Sequence, residues 1–108
     1  MATLYQLHTP MDQLKHGVNE IARLWRHGDS ILLLGSTIAY IDWLMAYLAD
    51  SDIQQVAGIY ALDQDLNQLA DSAVGYLNLT SITKLLTDQD WVQLTQSADF
   101  DKVITIAL

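Results

Sequence analysis

The sequence predicts one three-layer α/β domain over residues 1–108, with a mostly parallel five-stranded sheet and helices on both faces. Three observations carry this. Short β-like runs alternate with segments of helical period, the pattern of repeated βαβ units. Ile31-Leu32-Leu33-Leu34 is a run of four branched apolar residues, as expected of a central parallel strand covered on both faces. A chain of 108 residues with no linker, repeat or low-complexity stretch fits a single domain, long enough to bury a core.

The elements follow in order. Leu4–His8 reads as the first strand. Thr9-Pro10 ends it and begins a helix, with Thr9 as N-cap, Pro10 in the first turn and Asp12 at N3. Leu14, Val18, Ile21 and Trp25 fall on one helical face. Arg26, His27 and Gly28 close that helix, with Gly28 expected at C′. After the 31–34 strand, Gly35-Ser36-Thr37 turns the chain into a helix with the stripe Ile38, Ile41, Leu44, Met45 and Leu48. Val56–Leu62 is the third strand, and Asp63 is expected to cap a short helix through about Leu69. Val74–Leu79 is the expected fourth strand. Thr80 or Ser81 then caps a helix containing Ile82, Leu85 and Leu86, and a further helix holds Trp91, Val92 and Leu94. Lys102–Leu108 is the last strand, its direction left open by the sequence.

Composition limits function. Net charge is −8, and the strong cations are Lys15, Arg23, Arg26, Lys84 and Lys102, scattered along the chain. No basic stripe is present to neutralise a phosphate backbone, so direct nucleic-acid binding is not expected. With no cysteine, neither disulfides nor Cys zinc sites can form within these residues. The first residues lack a charged segment followed by an apolar core, and no apolar run reaches the roughly 20 residues that span a bilayer. A cytoplasmic protein is expected. Half of the residues are apolar against 17% charged, which predicts some apolar surface left for a partner.

In an open α/β sheet, ligands sit beyond the carboxyl ends of the strands. Gly35-Ser36-Thr37 follows a buried strand, but it lacks the glycines and lysine of phosphate loops and reads first as a helix cap. His8 ends a strand at that edge without a nucleophile and orienting acid nearby in sequence, which favours a structural or interface role. Asp50/Asp52, Asp63/Asp65, Asp88/Asp90 and Asp99/Asp101 form D-x-D pairs that could hold Mg²⁺, yet each lies where a turn or helix start favours Asp anyway. No metal or cofactor is expected. Trp43 lies off the main apolar face of its helix and suits an interface anchor.

These residues, in order, resemble the TusB/DsrH family of sulfur-relay proteins. Leu4-Tyr5-Gln6-Leu7 is similar to that family's opening strand, and Pro10 to its following Ser-Pro. Gly28-Asp29-Ser30-Ile31-Leu32-Leu33-Leu34 resembles its Gly-Asp-x-Leu-Leu-Leu-Leu, and Ile38-Ala39-Tyr40 its Val-Tyr-Ala-like stretch. Ile59–Leu66 resembles Val-Tyr-Ala-Leu-x-x-Asp-Leu, and Trp91–Thr95 resembles Phe-Val-x-Leu-Thr. The chain departs from the family at Ser36-Thr37 (for Asp-Gly), at Gln68-Leu69-Ala70 (for Ala-Arg-Gly) and at Leu108 (for Trp). The resemblance implies a DsrE-like fold. It also implies a place as a non-catalytic subunit beside TusC-like and TusD-like partners, passing persulfide sulfur toward 2-thiolation of the tRNA wobble uridine. The reactive cysteine would belong to the TusD-like subunit. Tyr40, Trp43, Tyr47 and Tyr60 are the partner contacts expected in that role. The alternative is a free-standing small-ligand or nucleotide-binding module using Ser36, Thr37 and Asp63. An enzyme in its own right would need Ser36, Thr37 or an Asp pair as its reacting group, and no activating base stands out in the sequence.

Overall fold

Backbone pairing joins β1 (Ala2–His8), β2 (Ser30–Leu33), β3 (Gly58–Leu62), β4 (Lys84–Leu86) and β5 (Phe100–Ala107) into one sheet of order β4-β3-β2-β1-β5. Every adjacent pair is parallel, including β1 with β5, so the last strand runs with the rest. The computed structural model describes residues 2–69 and 82–107. Its α-helices are α1 (Leu14–Leu24), α2 (Ile41–Asp50), α3 (Asp63–Asn67) and α4 (Asp88–Thr95). Two 3-10 segments, Met11–Gln13 and Gly35–Tyr40, lead into α1 and α2.

The order of strands decides which face each helix covers. From β1 to β4 the chain moves steadily across the sheet, and it then returns past β1 to place β5. A crossover that keeps its usual hand must change face when the direction reverses. Accordingly Leu14, Val18 and Ile21 of α1 and Ile41, Leu44 and Leu48 of α2 pack with Tyr5, Leu7, Ile31 and Leu33 on one face. On the other face Leu4, Leu32, Leu62 and Leu86 pack with Trp91 and Leu94 of α4. All four residues of β2 are buried, as its central place requires. Gly17 lets α1 lie close on the sheet: a Cβ there would stand 2.9 Å from Leu7 Cδ1.

Several local expectations are corrected. Lys84–Leu86 is a strand, where the sequence predicts a helix. The spacing of Ile82, Leu85 and Leu86 suits a helix, but the open edge of β3 supplies stronger pairing. The Thr83 N–H donates to the Ile59 carbonyl at 2.7 Å, the Ile59 N–H donates to Thr83 Oγ1 at 3.0 Å, and Leu86 is buried in the second core. The strand expected at 74–79 and its cap at Thr80 or Ser81 lie outside the described residues. Thr9 does not cap a helix: Pro10 holds that position without a side-chain bond, because the Thr9 backbone is tied to Thr37 instead. Asp63 is the first residue of α3 rather than its cap, and Leu62 precedes it without a capping bond. α1 ends at Leu24, so Gly28 lies beyond C′; its φ of +93° serves the turn into β2. Among the described residues the side-chain cap that forms is Thr87 on α4, a capping box with Asp90.

Candidate functional site

Where the chain leaves β3 it enters α3 and turns to the face of α1 and α2, and Leu66 packs there. Where it leaves β4 it turns to the opposite face, into α4. Adjacent strands whose connections diverge in this way open a crevice at their carboxyl ends. A cavity of about 530 Å³ lies at that edge of the sheet. Its lining comes from three strand ends and two helices: His8 at the end of β1, Leu34 and Gly35 after β2, Leu62 of β3, Asp65 of α3, and Asp88, Trp91 and Val92 of α4.

The walls are held by short-range bonds. The Gly35 N–H donates to Asp65 Oδ2 at 2.8 Å, joining the β2 end to α3. Gly35 has φ +60°, and a Cβ there would fall 2.6 Å from His8 Nε2. Glycine is thus needed for its backbone angle and for the imidazole that packs against it. Trp91 Nε1–H donates to Gln6 Oε1 at 2.7 Å, and Gln6 Nε2–H donates to Thr105 Oγ1 at 3.0 Å. The indole is therefore tied to β1, and through Gln6 to β5. A second hollow of about 350 Å³, bordered by Asp63, Asn67, Thr87 and Asp88, adjoins the first and shares Gln64 and Asp88 with it. Among the described residues neither hollow is lined by a lysine or arginine.

The residues singled out in the sequence distribute unevenly. Thr37 is fully buried, and its Oγ1 accepts the Thr9 N–H at 3.0 Å and donates to the Thr9 carbonyl at 3.3 Å, which ties the end of β1 to the 3-10 segment. Ser36 is exposed and outside the cavity lining, and Asp63 borders the smaller hollow. The structure does not gather these three around one ligand. Trp43 is 56% exposed on α2, with Tyr47 half-buried beside it at a ring separation of 6.3 Å. Tyr40 is half-buried on the same side of the sheet, whereas Tyr60 belongs to the opposite face. Among the described residues no three His, Cys, Asp or Glu side chains come together as a metal site.

Sequence reasoning passed over two features. Asp65 and Asp88, from different D-x-D pairs, line one cavity; only the adjacency of the β3 and β4 ends brings them together. Asp29 is 1% exposed and organises the opposite edge of the sheet. Its Oδ1 accepts the Thr3 N–H and its Oδ2 the Arg26 N–H, each at 2.9 Å. Tyr5 is buried and stacked on Trp25. Burial pushes its phenol above the ordinary tyrosine range, the Asp29 carboxylate pushes it further, and Arg26 opposes them.

Compared with protein-family models and with curated proteins, the chain finds no match. Among the described residues no helix is long and apolar enough to cross a membrane.

Proposed function

We propose that this chain is a non-catalytic subunit of a TusBCD-type sulfur-relay complex in the cytoplasm, joined to TusC-like and TusD-like subunits. The observation that carries the reading is the ordered resemblance described above. Its segments lie on successive parts of one parallel sheet: Leu4–Leu7 in β1, the Gly28–Leu34 stretch around β2, Ile59–Leu66 through β3 and α3, and Trp91–Thr95 in α4. With no cysteine in its 108 residues, the chain would leave the persulfide to a partner. Trp43 and Tyr47 offer an aromatic pair for the contact, the residue types enriched at interface centres. Co-expression with TusC-like and TusD-like proteins tests the reading. A stable complex on size exclusion supports it; a chain that never copurifies with either overturns it.

The carboxyl-edge cavity favours a second reading, a small-ligand-binding module. A nucleotide fits it poorly, since Asp65 and Asp88 would face the phosphates with no lining cation to offset them. A melting shift with low-micromolar ligand would support this reading over the first.

A further inference from the structure

We propose that the groove at the carboxyl ends of β3 and β4 docks a basic segment of a partner protein, with one lysine or arginine side chain laid over Trp91 between Asp65 and Asp88. The inference rests on the groove alone and stands whether or not the sulfur-relay reading holds.

The groove has the parts such a side chain needs. Leu34, Leu62 and Val92 supply apolar contact for an aliphatic stem, and Val92 is 52% exposed in the free chain. Trp91 supplies an indole whose orientation Gln6 already fixes, so little side-chain freedom is lost on binding. A cation over an indole face is attracted by the ring's negative face, more strongly as water is excluded. Asp65 and Asp88 supply charge, and Asp65 is held in place by the Gly35 N–H.

The length of the groove argues for a chain segment over a single small cation. The two hollows, about 530 and 350 Å³, share Gln64 and Asp88, and Asp63 lines the smaller one. An extended segment with two basic side chains two residues apart would present both to the same side. Charge then selects the partner. A second copy of this chain brings 13 acids against 5 lysines and arginines, so a self-contact would set acid against acid. Phosphate-bearing ligands meet the same repulsion. A basic protein surface meets attraction, and the net charge of −8 steers it in from a distance.

The test is a titration of the full ¹⁵N-labelled chain, followed by amide chemical shifts. The probes are the pentapeptide amide acetyl-Val-Arg-Leu-Lys-Val and its counterpart with glutamate at both basic positions. The basic peptide is expected to move the signals of Gly35, Asp65, Asp88 and Val92, and to lose its grip near 1 M salt, where the screening length is about 3 Å. Asp65→Asn with Asp88→Asn should weaken it about three- to tenfold, the range of two partly exposed ion pairs. Val92→Lys, at an exposed position that leaves the core untouched, should abolish the response even if the double variant folds poorly. The proposal is overturned if the acidic peptide binds as well, if Val92→Lys binds normally, or if shifts appear only around Trp43 and Tyr47. It is equally overturned if the same signals move with inorganic phosphate or with the chain's own concentration, which would assign the groove to an anion or to a second copy.

Discussion

Replacing Asp29 with alanine should be among the most damaging single changes to this fold. The carboxylate is buried and accepts two backbone N–H groups, from Thr3 at the start of β1 and from Arg26 in the turn before β2. Alanine leaves both donors without a partner. An unsatisfied buried donor costs about 1–3 kcal/mol, and both bonds here are only part-buried, so a total of about 2–4 kcal/mol is expected. Against a total stability of roughly 5–16 kcal/mol for a chain of this length, that is a large share. It corresponds to a fall in Tm of roughly 10–20 °C. Asp29→Asn keeps one acceptor oxygen and turns its amide toward the other donor, so about half the loss is expected. Asp101→Ala, exposed on β5, should change stability by less than about 0.5 kcal/mol. Urea unfolding followed by circular dichroism measures all three. A loss below about 1 kcal/mol for Asp29→Ala, with an unchanged dependence on urea, would refute the assignment of Asp29 as the tie between these strands.

Gly35→Ala should cost roughly 1–2 kcal/mol for its left-handed backbone alone and should displace the His8 ring; urea midpoints and the His8 imidazole proton shifts would register both. Because the Tyr5 phenol titrates above its unfolded value, the unfolded chain loses that proton first as pH rises. Its contribution to stability is therefore fully present below about pH 10 and is lost as pH climbs through the folded value. Absorbance at alkaline pH should show the Tyr5 phenol titrating above the ordinary tyrosine range, and Asp29→Asn should bring it partly back, burial keeping the rest. Trp43→Ser, at an exposed position, should leave stability within about 0.5 kcal/mol yet weaken copurification with TusC-like and TusD-like subunits; undiminished assembly would remove this residue from the proposed contact.

The sequence by itself determined the class of fold and the inward face of its first two long helices. Periodicity is a local property: the short apolar run Ile31-Leu32-Leu33, bounded by Asp29-Ser30 and Gly35, reads as a strand covered on both sides, and Leu14, Val18 and Ile21 present one buried stripe. The tertiary structure decided what depends on a partner far along the chain. The local spacing around Lys84–Leu86 suits a helix, and pairing with the edge of β3 overrides it. Thr9 looks like a cap until Thr37, 28 residues on, takes its backbone. The candidate site is of the same kind. His8, Gly35 and the D-x-D pairs of Asp65 and Asp88 can be picked out one by one in the sequence, but with Trp91 they share a cavity only because parallel strands bring their carboxyl ends to one edge. The return of the chain to β5 then sends α4, with its tryptophan and aspartate, to the opposite face from α1 and α2. Strand order is set by the summed burial of all layers, and no window of the sequence contains that sum.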